Sequence, residues 1–220
     1  MFVVVALTVQ YALAFILAIL LQQDNRISGF FRAVFFAPQV LSLIIVGLLF
    51  VFFLSPSMGL VTLLLEKIGV RFARPLLADK RVAIYILTLV RTWREFGFSM
   101  FLLIAGLQAI PQSIYEAAEI DGARSLQRLW FVTIPLLKEV SVVVMILAGT
   151  AAFRVFELVY IISAGGPFHA TEVAVTYTYQ RAFVGSRMGY GSSIATTLAA
   201  MMFIFTFLFL YLSKAGTRRY

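Results

Sequence analysis

The residues best equipped for chemistry in this chain are ionisable side chains set inside long apolar runs. Arg91, Glu95 and Ser99 recur at i, i+4 and i+8, with Arg94 on the same flank, so a helix over this stretch carries a polar stripe. Thr150, Arg154 and Glu157 repeat the pattern at i, i+4 and i+7. The chemistry open to them is narrow. Cysteine is absent and His169 is the lone histidine, which excludes disulfides, thiolate metal sites, cysteine nucleophiles and histidine clusters for metal. The chain has no Ser/His/Asp constellation and no Gly-rich, phosphate-cradling loop followed by Lys-Ser/Thr. What remains is non-covalent. Ionisable groups inside a membrane span cost about 2.5–3.5 kcal/mol each, so they face a partner or a watery cavity. Either Arg91, Arg94, Glu95, Ser99, Arg154 and Glu157 hydrogen-bond a hydroxyl-rich solute along a path, or Arg91–Glu95 and Arg154–Glu157 pair within their own helices. Arg94 is left as the unpaired member.

The elements that must position these residues follow from composition. Of 220 residues, 62% are hydrophobic and 13% charged, against roughly 45–50% and about 25% in ordinary globular chains. A soluble domain of this size has too little interior for so much apolar surface. The expected fold is all-α: a polytopic integral membrane protein with about five transmembrane helices, forming a single domain over residues 1–220. Runs long enough to span lie at about 2–21, 33–54, 82–107, 140–162 and 191–212. Pro38 is expected in the first turns of the second, where a missing N–H costs least, and Ser55-Pro56-Ser57-Met58-Gly59 breaks it. The third joins two runs, each too short to cross alone, which places Arg91, Trp93, Arg94 and Glu95 at mid-depth. Residues 60–81, with Lys67, Arg71, Arg74, Lys80 and Arg81, read as interfacial.

The net charge of +8 is scattered over short loops rather than gathered on one face, which argues against nucleic acid and for lipid headgroups. The N-terminus lacks the positive region of a cleavable signal. Five crossings put the ends on opposite sides, but the basic residues divide almost evenly between the two sets of loops, so charge bias sets no orientation.

Residues 112–138 are polar yet helix-forming. Ser113-Ile114-Tyr115-Glu116 reads as a capping box, with Glu116 reaching back to the cap. The helix continues through Glu119-Ile120-Asp121, and Gly122 suits the left-handed residue that ends it. Ser125 can cap a second short helix, Leu126–Thr133, stopped before Pro135. The product is a helix–turn–helix between two spans, in which Ala117 and Ala118 offer a small-residue surface to another protein. An ordinary structured loop is the alternative.

These residues carry a resemblance. Glu116-Ala117-Ala118, Asp121-Gly122-Ala123, and then Val132, Ile134 and Pro135 resemble the "EAA" loop of bacterial ABC-importer permeases, with Val132 and Ile134 in place of the usual Ile and Leu. Phe31-Arg32 through Phe36-Ala37-Pro38, Ala105 through Pro111, Gly165-Gly166-Pro167 with Thr171, and Gly189 through Ala195 are similar to further segments of the carbohydrate and glycerol-phosphate branch. The resemblance covers nearly the whole chain. Those permeases usually carry another span and an external segment ahead of the position of Phe2, so this chain reads as a short form, a fragment or a displaced start.

The resemblance implies a non-catalytic permease subunit of the bacterial cytoplasmic (inner) membrane, multi-pass, with no cofactor or metal of its own. ATP is used by separate ATP-binding subunits. A second homologous permease and an extracytoplasmic solute-binding protein complete the assembly. Residues 108–138 then lie in the cytoplasm, and Glu116, Ala117, Ala118, Asp121, Gly122, Ala123 and Pro135 dock the ATPase. The rivals are the same machinery for phosphate, an amino acid or a peptide, and an ATPase-independent carrier or channel. The basic stretch Lys67–Arg81 suits an anionic solute, or equally lipid headgroups. Tyr177, Tyr179 and Phe183 suit sugar stacking or interfacial anchoring. Gly191, Ala195 and Ala199, with Ser192, Thr196 and Ala200, form ridges for close helix packing. His169 is expected to be solvated.

Overall fold

A computed structural model describes residues 1–55, 59–67, 76–79 and 81–217, the side chains at 62, 65, 66, 76 and 214–217 excepted. Pro56, Ser57, Met58, Arg71, Arg74 and Lys80, invoked above, lie outside the described residues. The first span is one run of helix from Phe2 to Leu21: α1 (Phe2–Val5), a π turn (Ala6–Gln10) and α2 (Tyr11–Leu21). Its small residues turn inward, with Ala14 and Ala18 fully buried, while Val9, Leu13, Ile16 and Leu20 stay exposed. That is the pattern of a helix whose backbone approaches a neighbour on one side and whose large side chains face lipid on the other.

The second span departs from expectation. Helix α3 (Arg26–Val40) begins seven residues before Ala33, because the Asn25 side chain accepts from the Ser28 amide (2.7 Å). Arg32 in turn reaches back to the open end of α2, donating to the carbonyls of Leu21 (2.8 Å) and Gln23 (2.7 Å). Pro38 therefore falls near the end of α3, not in a first turn. After Leu41 the extended Ser42 caps α4 (Leu43–Phe53), its hydroxyl accepting from the Ile44 amide (3.3 Å), and the two helices meet at 94°. A serine that offers its own cap competes with continuing a helix already weakened by proline. Residues 33–54 are a broken segment rather than one straight span.

Helix α5 (Leu60–Lys67) and a 3₁₀ turn (Leu76–Ala78) precede α6 (Ala83–Gln108), which joins the two short apolar runs into one 26-residue helix as expected. At 1.5 Å per residue it is about 39 Å long, enough to cross the hydrocarbon. After α7 (Gln112–Ile120) come α8 (Ser125–Arg128), a π turn (Leu129–Thr133), α9 (Ile134–Leu136) and α10 (Lys138–Phe153). Helix α11 (Glu157–Ile162) follows a break at 154–156, so the fourth span, Lys138–Ile162, is interrupted where the polar stripe was expected. Helix α12 (Ala174–Tyr179), a further π turn (Gln180–Val184) and α13 (Met188–Thr217) complete the chain. Among the described residues three helices are long and apolar enough to cross a membrane, or up to five if each bent pair counts as one span.

The chain resolves into two compact units. One comprises Met1–Phe2, Val40–Arg94 and Ala151–Met202. In it α4 packs on α11: a Cβ on Gly47 would lie 3.1 Å from Ile161, and Val46, Leu158 and Ile162 are buried. Gly191 of α13 lies against Ala182, but Ala195, Thr196 and Ala200 of the expected ridges are exposed. The other unit comprises Val3–Gln39, Glu95–Thr150 and Phe203–Tyr220. Its core joins Ala14 and Ala18 to Met100, Leu103, Leu107, Leu137 and Val144. Gly97 lets α6 touch the Phe35 backbone carbonyl of α3, an approach that any Cβ would block. Gln10 Nε2 donates to Ser99 Oγ (3.2 Å) in the interior of this unit, and the half-buried Tyr11 hydroxyl donates to Ser141 Oγ (2.8 Å).

Candidate functional site

The helical loop after α6 is built to stand clear of the bundle. Pro111 takes an extended backbone (φ −59°, ψ 135°) at the N-cap of α7, which leaves α6 at 66°. The expected capping box is not formed. Helix α7 starts at Gln112, one residue ahead of Ser113, so Ser113 lies inside the first turn and its side chain makes no cap hydrogen bond. Glu116, likewise, points to no cap; it is exposed on the outer face with Ala117. The other end follows expectation. Gly122 adopts φ +79°, its amide donates to the Glu119 carbonyl (3.0 Å), and the Ala123 amide donates to that of Ala118 (2.9 Å). This pair of bonds is the Schellman termination, which a left-handed residue makes possible.

The second arm begins at Arg124 rather than Ser125: the Arg124 amide donates to the Gln127 side-chain oxygen (2.7 Å). It does not stop before Pro135. A proline frees the carbonyl four residues back and crowds it, and the wide π turn Leu129–Thr133 takes up that crowding, so helix continues into α9 and α10. Pro135 thus lies within the continuing helix, exposed in α9. Two contacts tie the arms: Arg128 to Glu119 (3.1 Å), and the hydroxyls of Tyr115 and Thr133 (3.3 Å apart). At the free tip Ile120 (86% exposed) and Leu126 (71% exposed) bracket Gly122. Beneath the arms, a crevice of about 370 Å³ opens among Tyr115, Ser125, Leu126, Arg128, Thr133 and Gln22.

The intramembrane stripe divides on inspection. Arg91 and Ser99 are buried on α6, and Glu95 is half-buried between them. Arg94, expected to be unpaired, donates from its guanidinium to the Leu41 carbonyl (3.1 Å) at the bend between α3 and α4. The bend exposes that carbonyl, and an arginine fork is well suited to cover it. Arg154 and Glu157 are both exposed on either side of the α10/α11 break, and no ion pair joins them among the described residues. With Arg154 out of helix, the i, i+4, i+7 stripe through Thr150 does not form.

Other expected features are placed as follows. His169 is exposed but bonded to Glu172 (2.9 Å). Its loop is pinned by the buried Thr171, whose hydroxyl donates to the Gly166 carbonyl (2.7 Å) and meets Ser163 (2.7 Å). Tyr177 carries the Arg181 guanidinium 4.8 Å above its ring. Hydrogen bonding to Tyr190, and then to Arg181, draws the Tyr177 hydroxyl below the usual phenol range. Two contacts lie outside the expectations above, the Gln10–Ser99 bond and the Phe156–Tyr160 ring pair. The i, i+4 spacing of Phe156 and Tyr160 was the available signal.

Comparison with known proteins agrees with this architecture. The family described as the binding-protein-dependent transport system inner membrane component matches residues 10–219. The chain is 36% identical over 219 residues to the probable ABC transporter permease protein YurN of Bacillus subtilis, covering 98% of this chain and 75% of that one. It is 32% identical over 204 residues to the sn-glycerol-3-phosphate transport system permease protein UgpA of Agrobacterium fabrum, covering 92% and 68%. Among solved structures, a chain of a bacterial alginate ABC transporter, crystallised in complex with alginate pentasaccharide-bound periplasmic protein, superposes with a TM-score of 0.87 at 23% identity. The match covers 98% of this chain and 76% of that one and speaks for the fold. A helical chain with a structured loop between apolar spans, matched along almost its full length, belongs to the inner-membrane components of binding-protein-dependent transport systems and is a multi-pass ABC transporter permease subunit.

Proposed function

We propose that this permease serves an importer of a carbohydrate or glycerol phosphate, and that the helix–turn–helix at 112–138 is where an ATP-binding subunit grips it. The observation that carries the docking reading is the exposed tip. Ile120 and Leu126 are apolar, stand on either side of the Gly122 cap, and are left exposed by the described residues. Exposed apolar groups on a rigid projection mark a protein contact. Glu116, Ala117, Ala118, Asp121, Gly122 and Ala123 line the same projection, with Pro135 behind it. A lever clamped at its base by Arg128–Glu119 and Tyr115–Thr133 passes a rigid-body motion to α6 and α10, as alternating access requires. The chain itself is non-catalytic and takes no cofactor: ATP is hydrolysed on two partner subunits. A second homologous permease and an extracytoplasmic solute-binding protein complete the complex, with residues 108–138 on the cytoplasmic side.

The solute class rests on the family branch, since UgpA of Agrobacterium fabrum is named for sn-glycerol-3-phosphate. Uptake into proteoliposomes holding the whole complex tests both parts. Accumulation of a labelled sugar or glycerol phosphate that needs ATP and the binding protein supports them. Transport without any ATP-binding subunit makes the chain an independent carrier. Accumulation of only phosphate, amino acid or peptide moves it to another branch.

A further inference from the structure

The first span turns a primary amide into the core. Ala6, Gln10, Ala14 and Ala18 are each at most 1% exposed, a stripe at strict four-residue spacing. On a regular α-helix, with 3.6 residues per turn, such a stripe drifts by about 40° at each step. The wide π turn Ala6–Gln10 takes more residues per turn and winds that drift back, so Gln10 stays on the face of the alanines. It lies midway along the 20-residue run Phe2–Leu21, far from both ends of the span. There Gln10 Nε2 donates to Ser99 Oγ of α6 (3.2 Å), and the next residue, Tyr11, donates to Ser141 Oγ of α10 (2.8 Å).

Consecutive residues thus bond to two different helices, and those helices are the ones that enter and leave the loop at 112–138. Helices α6 and α10 also meet each other closely: a Cβ on Gly106 would lie 2.9 Å from Leu137 and Val140. Apolar contacts around Met100, Leu103 and Val144 join the same elements, but such contacts are non-directional and let helices slide. Within lipid, close packing and interhelical hydrogen bonds set rotation and register. Stability alone does not account for the amide, because an apolar side chain at position 10 would leave no polar group to satisfy. We propose that Gln10 and Tyr11 are positioning residues. They pin the first span to α6 and α10, so that all three follow the loop as one body when the ATP-binding subunits move it. This rests on the docking reading of the loop and names the residues that spread its motion. Without the pins, α6 and α10 slip past the first span and part of the stroke is lost.

Pulsed EPR on the whole complex in lipid nanodiscs provides the test. The chain has no cysteine, so Ile16→Cys on the first span and Leu147→Cys on α10, both exposed, carry nitroxide labels at defined places. The distance between them is read without nucleotide and after trapping with ATP and vanadate. With Gln10 and Tyr11 in place, one narrow distribution is expected, the same in both states. With Gln10→Leu and Tyr11→Phe together, it is expected to shift or broaden on trapping while ATP hydrolysis continues. Ser99→Ala removes one acceptor and serves if the double variant fails to assemble; Ser99→Thr keeps the hydroxyl and is expected to retain the single distribution. A distance that changes with nucleotide while both pins are intact overturns the proposal. So do variants that melt lower yet keep one distribution in both states, which is the mark of a merely stabilising role. In those cases, ATP-binding subunits that still co-purify leave the docking reading standing. If none associate with the unsubstituted permease, that reading falls and the proposal with it.

Discussion

The sharpest consequence of the loop geometry concerns Gly122. Its φ of +79° lies where an L side chain is strained, yet a Cβ there would meet nothing within 4 Å. Substitution therefore costs backbone energy alone, about 1–2 kcal/mol for an ordinary residue and more for a β-branched one. Asparagine tolerates this conformation far better. In the free protein the cost is escaped by fraying the last turn of α7, with loss of the Gly122 and Ala123 amide bonds. Docking as proposed above requires that turn, so under that proposal the strain is expected in the affinity for the ATP-binding subunit. One to two kcal/mol corresponds to a factor of about 5–30. Gly122→Val is expected to weaken reassociation of purified ATP-binding subunits with nanodisc-embedded permease by at least that factor, and Gly122→Asn by far less. Binding is to be titrated and followed by nucleotide hydrolysis. Wild-type affinity in Gly122→Val refutes the reasoning. Equal weakening by Asn and Val shows instead that space at the tip, not backbone angle, matters.

Further outcomes are expected. Gly97→Ala drives a Cβ into the Phe35 carbonyl and should cost about 1–3 kcal/mol or more, seen as a lower melting temperature in detergent. Gly29→Ala, at an open position in α3, should raise it slightly. Arg94→Met strips the exposed bend carbonyl of Leu41 of a donor, at about 0.5–1.5 kcal/mol, and Ser42→Ala loses the cap, about 1 kcal/mol. If Arg94→Met melts like wild type but abolishes uptake, Arg94 belongs to the solute path after all. Glu119→Gln breaks an ion pair whose carboxylate is 72% exposed, so it should cost at most about 1 kcal/mol, fading with added salt. A larger, salt-insensitive loss of ATPase binding would place Glu119 in the docking contact itself.

The class of the protein, most of its spans and the turn at Gly122 were legible in the residues alone. Hydropathy over about 20 residues and the need for a left-handed position are local properties, readable without neighbours. Helix starts were less so: Asn25 displaced the start of α3 and Pro111 that of α7, each by a cap that competes closely with alternatives a few residues away.

What only tertiary structure decided are the fates of polar groups inside the apolar runs. Arg94 and Leu41 lie 53 residues apart, and Gln10 and Ser99 lie 89 apart. A polar group inside an apolar run takes whichever partner the packing brings within 3 Å or so, and no periodicity along the chain encodes that distance. The same holds for Gly97, whose need to be glycine appears only where α3 crosses α6. Composition assigns the chain to the membrane, because transfer into lipid sums over residues; which charge serves a bend and which stays exposed depends on where the helices break and meet.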